Sequence, residues 1–362
     1  MIVKKSEQDS WEGPVFVVGP SRSGTAMMRS VLNSHSAVAL AGETHYFDDL
    51  RTRKGFEPGV RLTSENASHA TEYFRALDDR PYGMKGDPQK SPISNQAMVE
   101  QASASSTDID ADAYFEAYCR LTADRQHKNI WGEKTPRHVF RLKEILTKYP
   151  QAKVLCMVRD PRAVVASYRD WQNQGGLNTD SEESFKQAIK EEEQRARLSY
   201  NIVIATLLWR AAINAAFAAQ RQFGAERVMV LRYEDVVNDS SASVRSLCDW
   251  LSIEFEEGML NIPMQNSSFV KFSKNTGITN SYLEKWREIL SGREISIIQS
   301  FAGKVLDRSG YEKAGPNAGV GALLTVLVTL PLHVIRAAAV NRQRIGNMYG
   351  YITRRLVGIF RG

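Results

Sequence analysis

Apolar and polar positions follow two rhythms along this chain. Short, largely apolar runs at Val15–Val18, Lys153–Val158 and Arg227–Arg232 read as buried strands, with Ser36–Ala41 and Asn129–Gly132 as shorter ones. Between them, apolar residues recur three or four apart, the spacing of a helix with one face covered, over Gly24–Asn33, Asp110–Gln126, Pro136–Lys148 and Ser240–Leu251. Tyr282–Leu290 and Glu294–Leu306 read as two more helices. Ile202–Phe223 is apolar on nearly every side and is expected to be buried, whereas the stretch near Glu182–Arg197 reads as a charged helix behind a loop at Gly175-Gly176. Strands alternating with helices predict an α/β domain with a central parallel sheet flanked by helices.

Two stretches break the alternation. From Asp48 to about Asp108 the chain is polar and reads as irregular, with Pro58, Pro81, Pro88 and Pro92 and several glycines. So long a stretch in a compact domain is usually functional, and 48–108 is the natural acceptor-binding insertion of an enzyme; a solvated linker is the other reading. Beyond Tyr311, Ala318–Ile335 carries no charge, and from Arg336 onward there are six arginines and no acid. An apolar segment followed by arginines suits a membrane surface, although Ala318–Ile335 sits at the lower limit of the roughly 20 residues a span requires. A C-terminal helix docked on the core or on a partner subunit is the alternative.

That tail changes the meaning of the net charge. The 362 residues carry +6, all of it accounted for by those six arginines, so the remainder is balanced. A general nucleic-acid surface is therefore not expected. The three cysteines, Cys119, Cys156 and Cys248, have no paired spacing, which predicts neither a disulfide framework nor a zinc site. Scarce, unpaired cysteine fits a reducing cytoplasm, and the first ten residues lack the apolar core of a secretory signal.

The candidate chemistry lies where strands run into helices. Val15-Phe-Val-Val-Gly-Pro-Ser-Arg-Ser-Gly-Thr-Ala reads as strand, tight turn and helix start, a ready anion site through free N–H groups and the helix dipole. Gly19 and Gly24 have the spacing of a nucleotide P-loop, yet Thr25 stands where that loop has lysine, and the nearest cation is Arg22. This points away from ATP or GTP and towards another phosphorylated donor. Arg159-Asp-Pro-Arg162 repeats the strand-to-helix junction, with Pro161 suited to a first helical turn and Ser167 about two turns further on. Ligands of parallel sheets sit at the carboxyl ends of strands, so Arg159 and the first turn can face one crevice.

Together these stretches resemble the sulfotransferases that use 3′-phosphoadenosine 5′-phosphosulfate (PAPS). Gly19-Pro-Ser-Arg-Ser-Gly-Thr25 looks like their 5′-phosphosulfate loop, and Arg159 to Ser167 like their 3′-phosphate motif. Ala41-Gly-Glu43-Thr and Trp131-Gly-Glu-Lys134-Thr-Pro are most similar to the tyrosylprotein sulfotransferase branch. The resemblance covers roughly Val15–Tyr311 and implies a P-loop-like three-layer fold over 12–312, with 313–362 as an apolar, then basic, helical extension. It implies PAPS as donor, 3′-phosphoadenosine 5′-phosphate (PAP) as product, and no metal.

The resemblance also implies roles. Arg22 would clamp the transferring sulfuryl group, and Ser23, Gly24, Thr25 and Ala26 would offer N–H groups to the 5′-phosphate. Ala26 replaces the family's second threonine, so only its backbone could contribute. Arg159 and Ser167 would hold the 3′-phosphate, and Tyr233, Ser273, Lys274 and Lys285 would complete the nucleotide site. Glu43 would be the general base, assisted if burial raises its pKa, with His45 as a second candidate; a glutamate pairing structurally with Arg22 is the other reading. Lys134 would stabilise the leaving phosphate. A nucleotide kinase and a non-catalytic, membrane-peripheral nucleotide-binding protein are the competing functions; the acceptor is unspecified, as is the oligomeric state.

Overall fold

The computed structural model of the chain describes residues 11, 13–79, 86–105, 109–170, 191, 194–195, 197–263, 277–281 and 283–340. Strands β1 (Val15–Val18), β2 (Val38–Ala41), β3 (Ile130–Lys134), β4 (Lys153–Val158) and β5 (Val228–Arg232) pair in parallel in the order β2-β3-β1-β4-β5. After β1 the chain forms α1 (Thr25–Asn33), and after β2 come α2 (Ser64–Arg75), α3 (Asn95–Ser105) and α4 (Ala111–Asp124). Helix α5 (Leu142–Lys148) joins β3 to β4, while α6 (Pro161–Asp170) and α7 (Ile202–Phe223) fall between β4 and β5 in sequence. Helices α8 (Tyr233–Asn238), α9 (Ser240–Leu251), α10 (Gly292–Ala302) and α11 (Val320–Val340) follow.

The central strand shows why three layers form. All of β1 is buried, and its side chains alternate: Phe16 and Val18 enter one core, Val15 and Val17 the other. The first core is closed by α2, α3, α4, α5 and the later part of α7, and the second by α1, α8 and α9. A parallel sheet has no solvent face to spare, which is why its strands read as apolar runs rather than alternating ones. Helix α7 behaves as its composition predicts: no residue from Ile202 to Phe217 is exposed.

The polar stretch after Asp48 differs from expectation, because it contains α2 and α3. Thr63 caps α2 by accepting from the Asn66 N–H, and the buried Arg75 donates its Nε–H to Ile93 O at 2.7 Å. Tyr46 and Arg51 both donate to the buried Asp112 carboxylate, at 2.6 and 2.8 Å, tying the start of the stretch to α4. Small alanine and serine residues in α3 leave too faint an apolar stripe to read. Pro136–Lys148 is a 3-10 turn over Pro136–Arg141 before α5, and Glu294–Leu306 divides at Gly303, α10 beginning earlier under a Ser291/Glu294 capping box. Among the described residues of the expected helix before it, only Trp286–Ile289 is helical. The three cysteines are buried and free, and burial pushes the Cys156 thiol well up. Gly175-Gly176 and most of Glu182–Arg197 lie outside the described residues.

Candidate active site

Parallel strands place their carboxyl ends on one edge, so the residues following β1 through β5 gather there. Strand β1 ends in Gly19, where a side chain would put Cβ 2.2 Å from the Met157 carbonyl oxygen of β4. The turn then passes through positive φ at Arg22 (71°) and Gly24 (86°) before α1. Arginine rarely adopts that conformation, and strain of this kind is tolerated where surrounding structure over-determines the backbone. Gly24 caps α1 without a side chain, and its first turn holds no acid to compete with an anion. Gly24 also abuts Tyr233, the first residue of α8, closely enough that a Cβ would lie 2.5 Å from its ring.

The two strand-to-helix junctions meet. Arg22 donates its Nε–H to Ser167 Oγ at 2.9 Å, and Arg159 donates an Nη1–H to the Arg22 carbonyl at 3.2 Å. The Arg159 guanidinium lies over the Tyr233 ring, 4.4 Å from its centroid. The indole N–H of Trp209 fixes the turn from behind by donating to Arg159 O at 2.9 Å. Ser23 Oγ and Arg159 Nε are buried without a hydrogen-bond partner among the described residues. Buried polar atoms are normally satisfied, so the Ser23 hydroxyl and the Arg159 guanidinium, with the Arg22 guanidinium, form a donor set that suits an oxyanion. One detail departs from expectation: the Ser23 N–H donates to Pro20 O at 3.2 Å, so Ser23 presents its hydroxyl, not its amide.

Next to this crevice, β2 and β3 end in a second cluster. Lys134 Nζ donates to Glu43 Oε1 at 2.5 Å, and His45 Nε2 lies 3.4 Å from Glu43 Oε2. Burial alone would raise the Glu43 carboxyl, but Lys134 and His45 outweigh it and hold the group below the ordinary carboxylate range. The expected upward tuning is thus reversed by its neighbours. Beneath the pair lies Glu133, wholly buried. It accepts from the Thr44 N–H at 3.1 Å, the Thr44 hydroxyl at 2.7 Å, His138 Nδ1 at 3.0 Å and the Thr135 hydroxyl. Burial opposes its charge, yet His138 and these hydrogen bonds keep the carboxyl below its ordinary value. Glu133 therefore bolts the residue after Glu43 to the residue after Lys134.

Of the residues singled out in sequence, Arg22, Ser23, Gly24, Thr25, Arg159, Ser167 and Tyr233 converge on the crevice, and Glu43, His45 and Lys134 form the adjoining cluster. Ala26 is exposed on the first turn of α1. Lys285 is half-buried next to Trp286, whose ring packs 4.3 Å from the Arg162 guanidinium at the start of α6. Ser273 and Lys274 lie outside the described residues. Asp160 is engaged by Arg162, whose Nη2–H donates to Oδ2 at 2.6 Å. Among the described residues, no group of three or more His, Cys, Asp or Glu is placed to hold a metal.

Sequence reasoning overlooked Glu133 and Glu234. Burial raises the Glu234 carboxyl, which accepts from the Asp160 N–H at 2.9 Å and the Tyr311 hydroxyl at 2.8 Å, bracing the β4 turn from the start of α8. A signal for Glu133 was present: a carboxylate inside a strand buried on both faces needs several donors around it.

The order of strands, the glycine turn and the paired cationic junctions define a P-loop-like three-layer fold with its candidate site at one sheet edge. A model of the sulfotransferase family matches residues 14–257, and the chain belongs to that family. It is 22% identical to the nodulation protein NoeE of Sinorhizobium fredii over 314 residues, 84% of this chain and 67% of the relative. It is 21% identical over 291 residues to a Caenorhabditis briggsae protein named "Putative protein-tyrosine sulfotransferase", covering 78% of this chain and 83% of the relative, in keeping with the tyrosine-branch motifs. Among solved structures, a sulfotransferase domain from the curacin biosynthetic pathway shares the fold with a TM-score of 0.50 and 20% identity, covering 83% of this chain and 99% of that one.

Proposed function

We propose that the chain transfers a sulfuryl group from PAPS to an acceptor hydroxyl, forming a sulfate ester and PAP. The observation that carries this reading is the Arg22–Ser167 and Arg159–Arg22 linkage, which joins two cationic turns into one crevice. A donor phosphorylated at both the 5′ and 3′ positions needs two such turns; a nucleoside triphosphate needs a lysine where Thr25 stands. Ser23 Oγ, the N–H groups opening α1 and the Arg22 fork would bind the 5′-phosphosulfate, and Arg159 the 3′-phosphate. Tyr233 offers a ring face beside Arg159.

Glu43, ionised and half-exposed, takes the proton as the acceptor oxygen bonds to sulfur. Lys134, whose ammonium is 2.5 Å from Glu43, would stabilise the oxygen on which the breaking S–O bond leaves its electrons. Such transfer is mostly positioning and charge neutralisation, work that guanidiniums, an ammonium and backbone amides can do. The acceptor is a hydroxyl compound; the name of the C. briggsae relative puts protein tyrosine beside saccharides, lipids and small metabolites as substrates to assay. The test is transfer of radiolabelled sulfate from PAPS into cell extract separated into lipid, polysaccharide and protein. Label in one fraction, lost with Glu43→Gln, is the expected result. A protein that binds PAP yet labels no fraction would refute catalysis.

A further inference from the structure

Among the described residues two helices are long and apolar enough to cross a membrane, α7 and α11, and their surroundings are opposite. α7 is a core helix packed against the sheet. No residue of α11 is buried. Its exposed large apolar side chains are Val320 (74%), Leu324, Leu327, Val328 (76%), Leu332 and Ile335, which fall on one helical face and form an outward stripe. Ala322, Leu323, Val326, Leu330, Val334 and Ala337 are half-covered and form the inner stripe.

Both ends of α11 are tied to the folded domain. Just before it, the Ala318 N–H donates to Ser300 Oγ at 3.1 Å and Ser296 Oγ donates to Pro316 O at 2.9 Å, both serines being on α10. Near its end, Arg336 donates its Nε–H to Leu198 O at 2.7 Å. A spanning helix must carry its far end across about 30 Å of hydrocarbon, away from the domain at its near end. Here the two ties lie about 25 Å apart along the helix and hold it against the same body.

We infer that α11 is a monotopic membrane-docking element, lying flat in the headgroup boundary of an anionic, cytoplasm-facing leaflet with its outward stripe in the acyl region. Charge complementarity selects this occupant over a second copy of the chain: from Arg336 on the sequence has six arginines and no acid, which would repel in a symmetric pair and attract acidic lipid. The inference does not depend on the donor or the acceptor of the reaction.

The test is co-sedimentation of the full chain with vesicles of mixed phosphatidylglycerol and phosphatidylcholine, and of phosphatidylcholine alone, followed by an alkaline carbonate wash of membranes from expressing cells. Expected are partition onto the anionic vesicles, weakening as salt rises, and release by carbonate. The double variant Leu324→Glu, Val328→Glu should partition at least about tenfold more weakly, with an unchanged circular dichroism spectrum and thermal midpoint. A chain left in the supernatant with anionic vesicles, or a double variant that partitions like wild type, overturns the inference. Retention after carbonate replaces it with a span. Lipid-free dimers abolished by the same double variant replace it with self-association.

Discussion

The cationic crevice and the Glu43–Lys134 cluster adjoin at the same sheet edge but are built differently. The crevice is shaped by backbone: two glycines, a positive φ at Arg22, and hydrogen bonds between turns 137 to 145 residues apart in sequence. The cluster is shaped by charge: a half-exposed carboxylate between an ammonium and an imidazole, positioned through a buried glutamate with four donors. Removing a group from the crevice should therefore cost affinity, whereas removing one from the cluster should cost turnover or the local fold.

The largest separation is expected from Glu43→Gln and Lys134→Ala. Each should lower kcat by about 10²- to 10⁴-fold while PAP affinity, measured by calorimetry, stays within about twofold. Unchanged turnover in both would remove the base and leaving-group assignments. Next comes Glu133→Ala, which strands His138 and two threonine hydroxyls in the interior. Chemical denaturation should show a loss of roughly 3 kcal/mol with unchanged m-value. A loss below about 1 kcal/mol would mean that the glutamate is not the bolt between β2 and β3.

Arg159→Ala sharpens the contrast from the other side. Loss of one charge-assisted contact predicts PAP binding weaker by about 10- to 100-fold. If turnover at saturating donor fell instead and affinity held, the two regions would not divide the work as described.

The smallest effect is in pH. Because its neighbours hold Glu43 below the ordinary range, the acid limb of kcat/KM should lie below about pH 4.3. In Lys134→Ala the limb should move up, since burial is then opposed mainly by His45. A limb near pH 6.5 in wild type would assign the base to His45 instead. Stability follows the same sign: Glu43 and Glu133 are depressed on folding, so their contribution is present above about pH 4.3 and is lost as pH falls through their lowered values.

The same division explains what could be read from sequence. Strand runs and the glycine turn express backbone rules that act locally, so the sheet, α7 and the convergence of Arg22 with Arg159 were legible. Glu133 and Glu234 owe their positions to donors from Thr44, His138 and Tyr311, on other elements; a carboxylate in a buried strand signals that Glu133 needs donors, but no local pattern names them. The polar stretch after Asp48 hid α3 because its apolar stripe is faint, and hid the anchors that hold the stretch in place, such as Arg75 on Ile93 and Arg51 on Asp112, because they are tertiary.

The most direct measurement is a paired calorimetric titration of the full chain with PAP and with ADP plus magnesium. A crevice built from two cationic turns without a P-loop lysine predicts that PAP binds much more tightly, and that Arg159→Ala removes most of the difference. Equal or tighter binding of ADP with magnesium would contradict the account.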